Sequence, residues 1–86
     1  MPTSHSLFDA LPFEQQLALV WEEGRFLARR WEEEDGVSLY LMDGGFFCEV
    51  YLELEHYTVL RLESFADSSE RLQDYAAYVR LGDLLA

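Results

Sequence analysis

The sequence predicts an α+β domain in which a helix, a four-stranded antiparallel β-meander and a second helix follow one another. Residues 37–62 hold short runs rich in β-branched and aromatic side chains around Asp43-Gly44, a pair favoured in two-residue hairpin loops. On either side, residues 12–23 and 68–80 carry apolar side chains at helical spacing. We therefore expect two helices that lie mainly on one face of the sheet.

Length and composition indicate a single small domain over residues 1–86, with residues 1–6 as a disordered lead. Half of the 86 residues are apolar, and a chain of this size has a core that is only marginally sufficient. Self-association would add to its stability.

The charge of the chain argues against nucleic-acid binding. Seventeen acidic residues stand against six arginines and no lysine, which gives a net charge of −11. Proteins that bind phosphate backbones or anionic membranes need clustered basic side chains instead. With no secretory signal or membrane span in the pattern, we expect a cytoplasmic protein without a membrane or nucleic-acid partner.

The first helix is predicted over residues 12–23. Pro12 suits a first helical position, and Gly24 can take the left-handed conformation that ends a helix. Its apolar stripe consists of Phe13, Leu17, Val20 and Trp21.

The first strand is predicted over residues 25–33, although the same residues also fit a continuation of the helix to residue 34. Asp35-Gly36 indicates a hairpin after it. A two-residue loop there places Trp31 beside Tyr40 on the outer face of the sheet. A three-residue loop with a left-handed Gly36 turns Trp31 and Leu27 inward, and both alternatives remain open.

The central hairpin joins strands 37–42 and 46–52 through Asp43-Gly44. A two-residue loop turns six apolar side chains toward one inner face by pairing Leu41 with Phe46, Leu39 with Cys48 and Val37 with Val50. A loop one residue longer would set Leu39 opposite Glu49, so the hydrophobic pattern favours the shorter loop.

The fourth strand, residues 57–65, is expected to follow a three-residue loop, and Asp67 and Glu70 then form a capping box for a helix over residues 68–80. The expected strand pairs are Val50 with Leu60 and Cys48 with Leu62 on the inner face, and Tyr51 with Val59 and Glu49 with Arg61 on the outer face.

Three stretches resemble short bacterial proteins of unknown function: Glu22-Glu-Gly-Arg-Phe-Leu-Ala28, Leu39-Tyr-Leu41 and Phe46-Phe-Cys-Glu-Val-Tyr51. Those chains read E-x-G-x-F-L-A, L-Y-x-L and F-F-V-E-V-Y. The resemblance implies a stand-alone domain and no particular activity. The overall plan is also similar to the small acidic chaperones of bacterial secretion systems, which dimerise.

No set of residues in the sequence has the pattern of a catalytic, cofactor or metal site. Cys48 is predicted inward on a strand, where a thiol behaves as a small apolar group. The acidic run 32–35 lacks the alternation of a calcium loop, and His56 has no second histidine at ligand spacing. We expect a protein that is not an enzyme and holds no cofactor.

The outer face of the predicted sheet is rich in aromatic side chains, which favours a protein-contacting surface. We expect the chain to form a homodimer or to dock a protein partner there. A helix on each face would instead bury these residues as core. Two other functions remain: a small-molecule binder with a pocket beside Trp21 between helices and sheet, and an acidic nucleic-acid mimic that inhibits a basic protein. The predicted contact residues are Trp31, Tyr40, Phe47, Glu49, Tyr51, Val59 and Arg61.

Overall fold

The computed structural model describes residues 2–66, which form two helices and one four-stranded antiparallel sheet. The strand order β1-β2-β3-β4 confirms the predicted α+β class and the meander. The predicted helix over residues 68–80 lies outside the described residues. In chain order the elements are α1 (His5–Asp9), α2 (Phe13–Glu23), β1 (Gly24–Glu32), β2 (Asp35–Met42), β3 (Phe46–Glu53) and β4 (Thr58–Ala66).

Helix α1 includes His5 and Ser6, so the predicted disordered lead over residues 1–6 does not extend to these two residues. The Ser4 hydroxyl accepts a hydrogen bond from the Leu7 amide at 3.2 Å and begins the helix. Phe8 is buried in the core, and Thr3 donates to the Glu23 carboxylate from its amide and its hydroxyl at 3.0 Å each. Burial of one aromatic ring and these polar contacts hold the segment on the domain.

Helix α2 matches its prediction, but Gly24 ends it differently. Gly24 has an extended backbone with φ −83°, because the chain passes directly from α2 into β1. A Cβ atom at this position would lie 2.5 Å from the Val20 carbonyl oxygen. Gly24 is therefore suited to close packing and does not adopt the expected left-handed conformation.

The loop between β2 and β3 has three residues, so the predicted two-residue loop is wrong. Gly45 is left-handed with φ 85°, and its amide donates to the Met42 carbonyl at 2.9 Å. A turn followed by a left-handed glycine is the usual form of a three-residue hairpin loop. The extra residue shifts every pair by one, so that Leu39 lies opposite Glu49.

The β1–β2 loop follows neither predicted alternative. It consists of Glu33 and Glu34, and Glu33 takes the left-handed conformation with φ 55°. Gly36 lies inside β2 opposite Trp31, where a Cβ atom would come within 3.6 Å of the Trp31 ring. That is an ordinary contact distance, and the tighter neighbour is Leu54, whose Cδ2 atom would lie 3.3 Å from the same Cβ.

The β3–β4 loop has four residues, 54–57, with a left-handed Tyr57 (φ 56°) in place of the three expected. A bulge at Leu60 shifts the register further. The predicted pairs of this hairpin are therefore wrong: Tyr51 lies opposite Arg61, and Glu49 opposite Glu63.

Each face of the sheet carries one apolar cluster. The shifted register determines which residues belong to each cluster. We call the face that α1 and α2 contact the helix face and the other the opposite face. Leu39 and Leu41, predicted to face the helices, belong to the opposite face, and Leu60, predicted to lie inward, is 50% exposed. The buried helix-face cluster is Phe8, Val20, Met42, Phe46, Cys48 and Val50; that of the opposite face is Ala28, Leu39, Phe47 and Phe65.

The left-handed glycine gives a test of the loop. No atom lies within 4 Å of a Cβ built at Gly45, so Gly45→Ala adds backbone strain without a clash. We expect it to lower the free energy of unfolding by about 1–2 kcal/mol in urea titration. Gly45→Asn is the control and should cost less, because asparagine tolerates this conformation. An alanine variant as stable as the wild type would contradict the loop.

Candidate functional site

A row of side chains on the opposite face crosses all four strands. Arg30, Val37, Tyr51 and Arg61 are successive pairing partners from β1 to β4. Arg30 donates from Nη2 to Glu49 Oε2 at 3.0 Å and to the Tyr51 hydroxyl at 3.3 Å. The row therefore links β1 to β3 across β2 through polar side chains.

Glu49 is the most deeply buried acidic side chain of the described residues, at 1% exposure. Removing a carboxylate from water is costly unless a cation and hydrogen bonds replace the water. Arg30 supplies both and also donates from Nη1 to Glu32 Oε2 at 3.0 Å near the surface. One guanidinium thus joins a buried and an exposed carboxylate.

Arg61 packs on the ring of Tyr51 from the other side, with its guanidinium carbon 4.0 Å from the ring centroid. Its Nε donates to Glu63 at 2.9 Å. Burial raises the pKa of Tyr51, and this effect outweighs the opposing interaction with Arg61. The phenol therefore stays neutral at physiological pH and lies between the guanidinium groups of Arg30 and Arg61.

The seven predicted contact residues do not share one accessible face. Phe47 and Glu49 are each 1% exposed and Tyr51 is 6% exposed, so the expectation that these three lie on an open outer face is wrong. The one-residue shift turns Val37, Leu39 and Leu41 to the same side, which makes that side an apolar layer.

The other four predicted contact residues are more accessible. Arg61 is exposed on the opposite face, whereas Tyr40 and Val59 pack against the helix-face cluster. Trp31 is 57% exposed and shares the helix face with Tyr40. Whether any of the seven contacts a partner stays a prediction.

Sequence reasoning missed a polar cluster that joins α1 to β4. His5 Nε2 lies 2.9 Å from Ser64 Oγ and 3.3 Å from Asp9 Oδ2, and the Ser64 hydroxyl donates to Asp9 Oδ1. In a Ser-His-Asp triad, the hydroxyl and the carboxylate use opposite nitrogens of the imidazole. Both use Nε2 here, so the contacts hold the helix in place rather than activate the serine. The spacing of His5 and Asp9 was visible in the sequence, but Ser64 is distant along the chain.

Cys48 pairs across the sheet with Ser64 of this cluster and is fully buried. Burial first, and then the charges of Glu49 and Asp9, raises the pKa of the thiol to about 12. A thiol that stays protonated and is inaccessible is not a nucleophile. This agrees with the role expected for Cys48 from its place on a strand.

Three potential metal-ligand groups meet in the β3–β4 loop, where ligand atoms of Glu53, Glu55 and His56 lie within 4.8 Å of one another. Both Glu53 oxygens accept loop hydrogen bonds at 2.9 Å, from the amides of Glu55 and His56. Desolvation raises the pKa of Glu53, but these hydrogen bonds outweigh it and the pKa is lowered. The geometry is that of a carboxylate that caps its own turn.

Among residues 2–66, a group of accessible aromatic side chains from α2, β1 and β2 lies on the helix face. Trp21, Phe26 and Trp31 are 56%, 51% and 57% exposed. Trp21 and Phe26 both direct ring edges at Tyr40, with centroids 5.8 Å apart in each pair. We call Trp21, Phe26, Tyr40 and Trp31 the β1 aromatic surface. Arg29, which donates to Ser38 at 3.3 Å, lies between its two ends.

Comparison with family models, curated proteins and solved structures finds no match to this chain. Among the described residues 2–66, no enclosed pocket is found. In the same part of the chain, neither helix has the length and apolar character needed to cross a membrane.

Glu49 and Glu32 both contact Arg30, and we expect their replacement to lower the free energy of unfolding by unequal amounts. Glu49→Gln should lower the free energy of unfolding by about 3 kcal/mol, because it removes the buried counter-charge of Arg30, whereas the remaining pair with Glu32 lies near the surface. Glu32→Gln is the matched control and should cost at most about 1 kcal/mol, since its side chain is 46% exposed. Urea titration measures both, and equal losses would contradict a dominant buried pair.

Because the pKa of the Cys48 thiol is raised in the folded chain, we expect the protein to lose stability in alkali. Because the folded pKa is about 12 and the ordinary value is 9.0, the thiol's contribution is complete below pH 9 and is lost as the pH rises toward 12. Cys48→Ala should lack this part of the pH dependence, while Tyr40 and Tyr51 titrate in both proteins. At pH 8, iodoacetamide should label Cys48 only after unfolding; equal labelling in the native state would contradict its burial.

Proposed function

We propose that the chain is a non-enzymatic protein-binding module that uses the β1 aromatic surface. The observation that carries this proposal is the exposure of Trp21, Phe26 and Trp31 on one side of an otherwise strongly acidic domain. Tryptophan and arginine are the residues that most often dominate binding energy at protein interfaces.

The size of the surface supports this proposal. A tryptophan or phenylalanine side chain has roughly 150–250 Å² to bury, so three half-exposed rings offer roughly 300 Å² of apolar area. A patch of this size on a small domain is often functional, whereas isolated apolar side chains need no explanation. Trp21 and Phe26 both contact Tyr40 and so are neighbours, whereas Trp31 lies on the same face beyond Arg29.

The scaffold beneath the surface is well suited to hold it in one arrangement. Arg30 follows Arg29 on β1 and ties this edge strand to Glu49 on the central strand β3. Side chains fixed before binding lose less conformational freedom when a partner docks.

Affinity capture from native cells with matched variants tests the proposal. Phe26→Asp places a charge in the centre of the aromatic surface, and Tyr57→Asp changes a 75% exposed side chain in the β3–β4 loop. We expect a protein that is retained by the wild type and by Tyr57→Asp and lost by Phe26→Asp. Circular dichroism confirms that each bait is folded, and identical retention by all three would overturn the proposal.

A further inference from the structure

On the basis of the proposed function, we propose that the partner on the β1 aromatic surface is a second copy of this chain. The two copies are related by a two-fold axis perpendicular to the sheet, with their β1 strands antiparallel. Two features support this occupant: the order of residues along β1, which places opposite charges near its two ends, and its position at an edge of the four-stranded sheet.

The charge of β1 differs from that of the chain as a whole. It contains three of the six arginines and one of the 17 acidic residues. Arg30 is directed to Glu49 and Glu32, whereas Arg25 and Arg29 are exposed. Because Glu32 is the acidic residue of this strand, a second β1 offers an opposite charge to Arg25 when Arg25 of one copy meets Glu32 of the other.

The order of residues along β1 is complementary to itself. Arg25 and Glu32 are equally far from the midpoint between Ala28 and Arg29, and so are Phe26 and Trp31. Two antiparallel β1 strands centred on that point bring Arg25 of each copy to Glu32 of the other, and Phe26 to Trp31. An isologous contact requires such reciprocal pairs.

The faces of the sheet agree with this pairing. Phe26 and Trp31 pair with Tyr40 and Gly36 on the helix face. Arg25 and Glu32 pair with Leu41 and Asp35 and so belong to the opposite face. A two-fold axis perpendicular to the sheet keeps each face on its own side, so both kinds of pair can form together.

The bulge at Leu27 limits how the two strands meet. It breaks the alternation of β1 near its centre, and bulges on edge strands hinder continuous strand pairing. Side-chain pairs at the two ends of β1, rather than a continuous backbone ladder, therefore carry the association. Glu32 contacts Arg30 and is still 46% exposed, which leaves it accessible to Arg25 of a second copy.

Charge reversal followed by mixing tests the arrangement. Arg25→Glu alone and Glu32→Arg alone each create two like-charge pairs in a symmetric dimer, so each should raise the dissociation constant about tenfold. An equimolar mixture of the two variants restores both pairs and should form a mixed dimer close to wild-type affinity. Sedimentation equilibrium at about 0.15 M salt measures the constants, where Coulomb interactions beyond about 8 Å are screened.

Two controls show whether a change in dimerisation comes from β1 itself and not from loss of the fold. Tyr57→Asp lies away from β1 and should dimerise like the wild type, and circular dichroism checks that every variant is folded. If Glu32→Arg loses the fold, Glu32→Gln replaces it. Its mixed dimer with Arg25→Glu should again be tighter than the dimer of Arg25→Glu alone.

The outcomes distinguish a second copy of the chain from a different protein partner on the same surface. A wild type that remains monomeric up to about 1 mM overturns the second copy, and the module still stands if the capture experiment finds a partner that depends on Phe26. A wild-type dimer whose reversed variants are not rescued by mixing overturns the antiparallel arrangement. Rescue by mixing supports it.

Discussion

The left-handed backbone of Gly45 is the constraint on which the sheet depends. It adds a third residue to the central hairpin and thereby fixes which side chains of β2 and β3 share a face. A strand alternates its side chains with a period of two, so one added residue exchanges the two faces. With this register, Leu39 and Phe47 lie together on the opposite face, and Tyr40 and Cys48 lie together on the helix face.

The same register brings a carboxylate into the apolar layer, and Arg30 offsets its cost. Glu49 would be unfavourable beside Leu39 without a cation in reach, and the guanidinium of β1 meets it across β2. Arg30 also connects this interior pair to Glu32 at the surface. Internal stability and the position of the exposed aromatic side chains therefore depend on the same edge strand.

The sequence predicted the elements better than their pairing. Hydrophobic periodicity and turn residues located α2 and all four strands, because these signals are local. The turns were less accessible to prediction: Glu33 and Tyr57 adopt left-handed conformations that non-glycine residues rarely take, and Gly45 rather than Gly44 does so in the central loop. Each of these conformations depends on the packing of whole strands. The buried Arg30–Glu49 pair follows from that packing, which is why Glu49 was expected at an accessible surface.

The exposure of both tryptophans determines what their fluorescence can report. Trp21 and Trp31 are each more than half exposed in the folded chain, so their surroundings are already largely aqueous. Unfolding changes those surroundings little, and the intrinsic emission is a poor optical probe of denaturation. A partner that covers the whole β1 aromatic surface would remove water from both indoles, so the emission spectrum would report such docking more directly than unfolding.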